Sequence, residues 1–308
     1  MINEVPVVFA ANNAYVPYTG VALQSMINCT NKNLLYSVYV LHTGLSYYNM
    51  SRLSAMSTEN VVVRFVDVTK EMQNIVIKSE NHLTPETTYR ILIPDLFPYY
   101  DKVLYLDSDI VVLHDVAELY NTNLDGYVVG AVAEIWIENP ALSEHLAYAD
   151  LGIPHDEYFG AGVLLINSAL YKEMGIRDKC FEALHGNTNY TFLDQDVLNK
   201  FCNGSVLYLD VRWNYSWEYL SPNSPHANIP PNEMRIAHFY GGIKPWHMPE
   251  KLYAHYFWEV ARETPFYEEI IYTGIKVRTE STINRFTNGL DAYLRNILTK
   301  SDQVLRHS

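Results

Sequence analysis

Short apolar, β-branched segments alternate along this chain with longer segments of helical character, and this alternation limits the fold more than any other feature. The predicted strands are Val5–Ala10, Tyr36–Leu41, Val61–Val68, Lys102–Leu106, Tyr127–Ala133, Ala161–Ile166, Val206–Leu209 and Ile236–Phe239. The predicted helices are Tyr18–Asn28, Ser46–Ser57, Ala141–Leu151, Ser168–Met174 and Gln195–Phe201. Several strand segments are apolar almost throughout, as strands buried on both faces of a sheet are. The pattern predicts an α/β fold with a largely parallel sheet between helices.

The charge balance limits the classes of partner that the protein can bind, and the cysteine count limits the compartment in which it works. Asp and Glu total 35 against 22 Lys and Arg, for a formal net charge of -13. Because phosphate backbones bind basic surfaces, we expect no nucleic-acid partner. The 3 cysteines are too few for a disulfide framework, which favours a reducing compartment. Without a membrane-spanning apolar run or a signal-peptide pattern, a cytoplasmic protein is expected.

The C-terminal part of the chain differs from the rest. Residues 276–308 carry a local net charge of +3, and apolar residues recur there at helical spacing from Ile283 to Leu298. Two interpretations stay open: a helix docked on the core, or a helix that makes a peripheral contact with an anionic membrane on the cytoplasmic side. We therefore predict a main domain over residues 1–265 and a helical segment over residues 266–308.

Two carboxylates, Asp107 and Asp109, come directly after the predicted strand Lys102–Leu106. Ligand sites of open α/β sheets lie at the carboxyl ends of strands. Alternate side chains of an extended segment point the same way, so both carboxylates can face one hard cation. A capping turn is one alternative. Another is a haloacid-dehalogenase-type phosphatase with Asp107 as nucleophile, although that motif normally follows the first strand of its domain.

A second group of polar residues follows the last predicted strand. His238 can supply a nitrogen ligand to the same cation, Gly241 lets the backbone approach a phosphate, and Lys244 adds a positive charge. Two carboxylates and one imidazole with open coordination positions suit Mn²⁺, with Mg²⁺ as the alternative. The combination predicts a cation that clamps a diphosphate.

At these residues the sequence resembles the family 8 retaining glycosyltransferases, especially bacterial lipooligosaccharide galactosyltransferases and glycogenin-like enzymes. The matching blocks, in the family's order, are Val7–Tyr15, Tyr89–Leu92, Asp107–Asp109, Phe159–Asn167, Leu193–Asp196 and His238–Trp246. The resemblance implies a GT-A type nucleotide-diphospho-sugar transferase fold, with a Rossmann-like mixed sheet flanked by helices. It also implies dependence on Mn²⁺ and transfer with retention at the anomeric carbon.

The resemblance further implies a role for individual residues. It assigns uridine binding to Ala10, Asn12 and Tyr15, metal binding to Asp107, Asp109 and His238, and diphosphate binding to Gly241 and Lys244. It assigns binding and transfer of the sugar to Arg90, Glu134, Gly160, Ala161, Asp194 and Gln195. Three positions depart from the family pattern. Asn12 stands where Asp is usual, Gly160 where an Asn commonly contacts the sugar, and Glu134 where the galactosyl enzymes tend to have Asp.

The function expected from the sequence is a retaining, metal-dependent hexosyltransferase. It would move glucose or galactose from UDP-glucose or UDP-galactose to a glycan acceptor, such as lipopolysaccharide or another cell-surface saccharide. The predicted catalytic residues are Gln195, Asp194 and Arg90. Since Gln195 is a poor nucleophile, front-face attack is favoured over double displacement, with Asp194 as an alternative nucleophile. A non-catalytic relative that binds a sugar nucleotide or glycan is the main alternative function.

Overall fold

The structure is a computed structural model that describes residues 4–73, 75, 85–134, 141, 144–146, 150–186, 190–216, 229–241 and 244–279. Its strands are β1 Glu4–Ala10, β2 Leu35–His42, β3 Val61–Asp67, β4 Lys102–Leu106, β5 Ile110–Val112, β6 Val129–Ala133, β7 Phe159–Asn167, β8 Val206–Tyr208 and β9 Ile236–His238. Every predicted strand is therefore present. The short strand β5 was not predicted, because three apolar residues carry no periodicity of their own.

The helices flank the sheet and connect its strands. Those described are α1 Val16–Cys29, α2 Tyr47–Ser54, α3 Thr69–Met72, α4 Ile93–Leu96, α5 Val116–Tyr120, α6 Ser168–Glu173, α7 Ile176–Gly186, α8 Asp194–Cys202, α9 Ala254–Ala261 and α10 over residues 267–279. A 3₁₀ helix, Pro85–Leu92, precedes α4. The predicted helices at α1, α2, α6 and α8 are confirmed. Of the predicted helix Ala141–Leu151, residues 142, 143 and 147–149 lie outside the described residues, and residues 144–146 are helical.

The central sheet has seven strands in the order β3-β2-β1-β4-β7-β6-β8. Neighbouring strands are parallel except at β7, which runs antiparallel to both β4 and β6. The strands β5 and β9 form a separate antiparallel pair. The mixed, mostly parallel sheet flanked by helices is therefore present, as predicted.

Each face of the sheet is covered by its own apolar cluster. In β1, Val7 and Phe9 belong to one cluster, whereas Val8 and Ala10 belong to the other. Because successive side chains of a strand point to opposite faces, a strand covered on both sides must be apolar at every position. The unbroken apolar runs of the sequence have this cause.

The first part of the predicted C-terminal segment packs on this core. Phe266 and Ile270 belong to the apolar cluster on the α1 side of the sheet. A side chain at Gly274 would come within 2.5 Å of the Trp246 carbonyl oxygen, so α10 lies directly against the backbone there. Residues 280–308 are outside the described part of the chain, and the division at residue 265 stays a prediction. Within the described ranges, every helix is too short or too polar to cross a lipid bilayer.

Candidate active site

A cleft of about 240 Å³ opens at the carboxyl ends of β1 and β4. Its walls are formed by Ala10, Ala11, Asn12, Tyr15, Glu86, Thr87, Arg90, Tyr105, Asp107, Ser108, Asp109, Gly162, Phe192, Asp194, Gln195, His238, Tyr240, Gly241 and Lys244. The parallel strands β1 and β4 end side by side, as expected of a ligand site in an open α/β sheet. Most of the residues predicted from the sequence meet in this cleft.

Asp107, Asp109 and His238 form a compact group of ligand atoms, all within 4.8 Å of one another. Pairing of β5 with β9 brings them together, because Ile110 lies opposite His238 in that ladder. The Nε2 atom of His238 is 3.1 Å from Asp109 Oδ1 and 3.7 Å from Asp107 Oδ2. Two carboxylates and an imidazole at this spacing fit a divalent cation.

Lys244 contacts Asp109 on the other side of this group. Its Nζ atom pairs with Asp109 Oδ2 and donates to the Phe239 carbonyl oxygen at 2.7 Å. Burial opposes ionisation of Asp109, but Lys244 and His238 outweigh it and hold the pKa of Asp109 well below its usual range. The carboxylate is therefore ionised and ready to bind a cation at neutral pH.

Arg90 bridges the two carboxylates of the cleft floor. Its Nη2 atom is 2.8 Å from Asp107 Oδ1, and its Nε atom is 2.9 Å from Asp194 Oδ2. The Tyr105 hydroxyl also donates to Asp107 at 2.7 Å, and its ring lies under the guanidinium. Burial raises the pKa of Asp194, although Arg90 opposes the shift. Arg90 thus holds Asp107 and Asp194 in place and compensates their charge.

Gln195 is fixed at both ends of its amide. Its Oε1 atom accepts from the Ala161 N–H at 2.8 Å, and its Nε2 atom donates to the Tyr158 hydroxyl at 3.2 Å and to Glu134 at 3.4 Å. Leu193, just before α8, has φ of 44°, a left-handed conformation that is unfavourable for a branched side chain. The turn into α8 directs Asp194 and Gln195 into the cleft.

Three predicted residues, Ala161, Glu134 and Gly160, do not line the cleft but lie next to residues that do. Ala161 uses its N–H for Gln195 and its carbonyl oxygen for Arg90. Glu134 accepts from Gln195, and Gly160 lies beside Glu134. Any contact between these residues and a sugar stays a prediction.

At the other end of the cleft, Asn12 begins the turn that leads into helix α1. Its Oδ1 atom accepts from the N–H groups of Ala14 and Tyr15, both at 3.0 Å. The side-chain oxygen of Asn12, a residue that the resemblance assigns to the uridine, is thus used within the turn. Tyr15 packs edge-on against Tyr18 and Trp246, with ring centroids 5.4 Å and 6.4 Å away. The roles of Ala10, Asn12 and Tyr15 toward a nucleobase stay predictions.

The sequence interpretation missed Asn214, which orients His238. Asn214 is fully buried, and its Oδ1 atom lies 2.7 Å from His238 Nδ1. Because an amide oxygen can only accept, the Nδ1 edge of His238 donates to Asn214, and Nε2, which faces Asp107 and Asp109, is the atom that would bind a cation. A lone asparagine carries no signal of this role in a sequence, because its contact with His238 depends on where a 3₁₀ turn and strand β9 meet in space.

Replacing Asn214 with alanine is expected to weaken Mn²⁺ binding about 10- to 100-fold, the usual effect of losing a partner that orients a metal-bound histidine. Titration with Mn²⁺ in the presence of UDP, followed by electron paramagnetic resonance of the free ion, measures the affinity. The exposed Asn33 provides a control, because Asn33→Ala should leave the affinity unchanged. Equal affinities for Asn214→Ala and the native protein would contradict this role.

Comparison with known proteins decides the family. The sequence model described as glycosyl transferase family 8 matches residues 6–249. The chain belongs to glycosyl transferase family 8. Membership in this family removes the phosphatase alternative, since the Asp107–Asp109 motif lies inside the matched region.

Two curated relatives illustrate the range of family 8 proteins that the chain resembles. It is 27% identical to general stress protein A of Bacillus subtilis, over 80% of this chain and 88% of that protein. It is 28% identical to lipopolysaccharide 1,3-galactosyltransferase of Salmonella typhimurium, over 74% of this chain and 68% of that enzyme.

Solved structures share the fold of this family 8 chain. The bifunctional glycosyltransferase WbbM matches 89% of the chain with a TM-score of 0.76 and 29% identity. An active-site mutant of LgtC matches 85% with a TM-score of 0.70 and 26% identity. The chain spans 96% of LgtC but only 52% of WbbM, so it corresponds to about half of that larger protein.

Proposed function

We propose that this protein is a retaining hexosyltransferase that binds UDP-glucose or UDP-galactose with the help of Mn²⁺ or Mg²⁺. In this proposal it transfers the hexose to a glycan acceptor. The observation that carries the proposal is the meeting of Asp107, Asp109, His238 and Lys244 at one end of a cleft whose other wall holds Asp194 and Gln195.

The charges of the cleft support a bound cation. A diphosphate that approached Asp107 and Asp109 alone would be repelled by two carboxylates. Lys244 already pairs with Asp109, and Arg90 already spans Asp107 and Asp194. When bound, a divalent cation supplies Lewis-acid stabilisation of the negative charge that develops on the leaving UDP. Lys244 lies beside the same position and adds to this electrostatic stabilisation.

The side chains near the sugar favour front-face attack. Gln195 has no ionisable group, and its amide is held by Ala161 and Tyr158. Asp194 is tied to Arg90 at 2.9 Å and is buried, which makes it a poor nucleophile. Without a mobile carboxylate at this position, the acceptor hydroxyl attacks on the side of the leaving group, and a phosphate oxygen of UDP takes its proton. The sugar passes through an oxocarbenium-like state.

The acceptor follows from the relatives by analogy. One relative is named a lipopolysaccharide 1,3-galactosyltransferase. We propose lipopolysaccharide or another cell-surface saccharide as the acceptor class.

Donor hydrolysis tests the proposed function directly. The purified protein is incubated with UDP-glucose and UDP-galactose, with Mn²⁺ or with excess EDTA, and the release of UDP is measured. Slow hydrolysis of at least one donor, dependent on the cation, is the expected result. A protein that binds a donor without hydrolysing it would instead be a non-catalytic relative, and hydrolysis undiminished by EDTA would refute the role of the cation.

Gln195→Ala is expected to slow transfer about 10²- to 10³-fold without abolishing it, because the amide stabilises the positive charge that develops on the sugar. Steady-state kcat measures this loss, and Gln24→Ala on helix α1 serves as the control. Isolation of a covalent glycosyl-enzyme from the native protein would refute front-face attack, whichever residue carried the sugar.

The predicted membrane contact of the C-terminal segment has its own test. Removal of residues 280–308 is expected to leave donor hydrolysis nearly intact, because Phe266 and Ile270 keep α10 on the core. The same truncation should abolish binding to anionic vesicles. Binding of the full chain should weaken as salt rises, since exposed charges are screened over about 10 Å at 0.1 M. Failure of the full chain to bind anionic vesicles would refute the predicted membrane contact.

A further inference from the structure

The backbone just after Lys244 contacts α9 and α10, the last two helices that the structure describes. The indole N–H of Trp258 in α9 donates to the Pro245 carbonyl oxygen at 3.1 Å. The Nε atom of Arg278 in α10 donates to the His247 carbonyl oxygen at 2.7 Å. Two of the three carbonyl groups that follow Lys244 are therefore fixed by side chains from these helices.

The carbonyl group between these two belongs to Trp246 and packs against Gly274 in α10. A Cβ atom added at Gly274 would lie 2.5 Å from the Trp246 carbonyl oxygen, closer than a Cβ atom approaches a backbone oxygen. Gly274 does not have a positive φ, and it lies in a helix, where glycine is less favourable than alanine. Space rather than backbone conformation therefore accounts for the glycine. The helix can approach this closely only because residue 274 has no side chain.

A tight turn links these carbonyl groups to the side chain of Lys244. The Lys244 carbonyl oxygen accepts from the N–H groups of His247 and Met248, both at 2.9 Å. The Lys244 side chain is only 10% exposed, and its Nζ atom pairs with Asp109 in the cleft. A displacement of the Trp246 carbonyl group would therefore move the turn, and the turn would move the ammonium group relative to Asp109.

We propose that α10 is a positioning element of the donor site, which sets the place of the Lys244 ammonium group through Gly274 and Arg278. The inference rests on the proposed function, in which Lys244 contacts the diphosphate of UDP, and deepens it. Gly274 and Arg278 do not line the cleft, so they act through the segment that carries Lys244. Both also follow residue 249, where the match to the family model ends, so the family resemblance assigns them no role.

The experiment measures the affinity of the full chain for UDP in the presence of Mn²⁺ by calorimetric titration. Gly274→Ala should weaken the binding of UDP about tenfold, because the displaced ammonium group loses its charge-assisted contact with the diphosphate. Ile275→Ala is the matched control, since residue 275 is 60% exposed on the same helix. It should leave the affinity unchanged.

A double variant with Lys244→Ala distinguishes positioning from a general loss of stability. If Gly274 acts through Lys244, both substitutions affect one contact, and their effects should not add. Gly274→Ala introduced into the Lys244→Ala protein should therefore cause no further loss of UDP affinity. An equal loss in both proteins would refute the inference, because α10 would then act on the nucleotide by another route or on the fold as a whole.

Arg278→Met tests the same inference without adding atoms against the backbone. It removes the hydrogen bond to the His247 carbonyl oxygen and the ion pair with Glu250 at 2.9 Å. We expect a smaller loss of UDP affinity, about threefold, because an exposed ion pair of this kind contributes little. Lys276→Met makes the same change in charge at an exposed residue of the same helix and should have no effect.

Native UDP affinity in both Gly274→Ala and Arg278→Met would refute the inference and leave the proposed function intact. If circular dichroism shows that Gly274→Ala does not fold, Arg278→Met decides alone, and native affinity in that variant refutes the inference. A native protein that does not bind UDP would refute the proposed function, and the inference with it.

Discussion

Asp109→Asn is expected to abolish sugar transfer, with a loss of at least about 10³-fold, and to remove the effect of Mn²⁺ on UDP binding. The substitution takes one of the ligand atoms that lie within 4.8 Å of one another and replaces an anionic ligand with a neutral one. The amide still offers an oxygen to Lys244, so the lysine keeps a partner and the fold should survive. Calorimetric titration with UDP, with and without Mn²⁺, measures the binding.

A control for Asp109→Asn distinguishes the loss of a cation ligand from the change in net charge. Asp178 has a side chain 88% exposed, and Asp178→Asn makes the same change in charge outside the cleft. It should leave both transfer and UDP binding unchanged. Circular dichroism and thermal unfolding confirm that Asp109→Asn is folded. Native turnover by a folded Asp109→Asn protein would remove Asp109 from the metal site.

Gly162→Ala is expected to cost about 10²-fold or more in transfer and to abolish Mn²⁺ binding. A Cβ atom there would lie 2.2 Å from His238 Cε1 and 2.8 Å from Asp107 Oδ2, distances that non-bonded atoms do not adopt. The ring of His238 also contacts Asn214 and Tyr240, which limit its freedom to move away. The added methyl group should therefore push the ligand atoms of the metal site apart, although no ligand residue is itself replaced.

Gly130→Ala provides the matched control for Gly162→Ala. Gly130 lies in the neighbouring strand β6, and a Cβ there would meet Leu124 Cδ1 at 3.1 Å and other apolar carbons at 3.4 Å or more. Such a change can lower stability by crowding the core but leaves the metal site alone. Mn²⁺ binding should persist in Gly130→Ala and disappear in Gly162→Ala. Persistence in both would show that His238 and Asp107 can move apart without losing the cation.

Local patterns were enough to predict the strands and the carboxylate pair. Strands such as β1 are covered on both faces, and burial on both faces forces an apolar run that can be recognised without a structure. Asp107 and Asp109 interrupt such a run at the end of β4, where a half-buried carboxylate requires a partner. The same reasoning did not reach β5 or the helices α3, α4, α5, α7 and α9. The elements β5, α3, α4 and α5 are only three to five residues long, and the α7 segment mixes charged with apolar residues.

The residues that support the site were invisible in the sequence for a different reason. Asn214, Tyr240 and Gly162 act through single contacts with His238, and they come from a 3₁₀ turn, the segment after β9 and strand β7. Gly162 and Tyr240 lie inside segments that resemble the family, but residues of these types occur throughout the chain, and their neighbours give none of the three a role at His238. Only their distances from His238 identify them.

The sequence alone thus predicts the layers of the fold, the sheet and the charged groups of the site, because each follows from burial or from chemistry that acts within a few residues. The tertiary structure alone decides which of these groups meet. Asp109 and His238 are brought within 3.1 Å because β5 pairs with β9, and the hydroxyl of Tyr240 comes close to Glu134 because Gly160 leaves room for both. Contacts of this kind depend on the path of the whole chain, and no local pattern of residues encodes them.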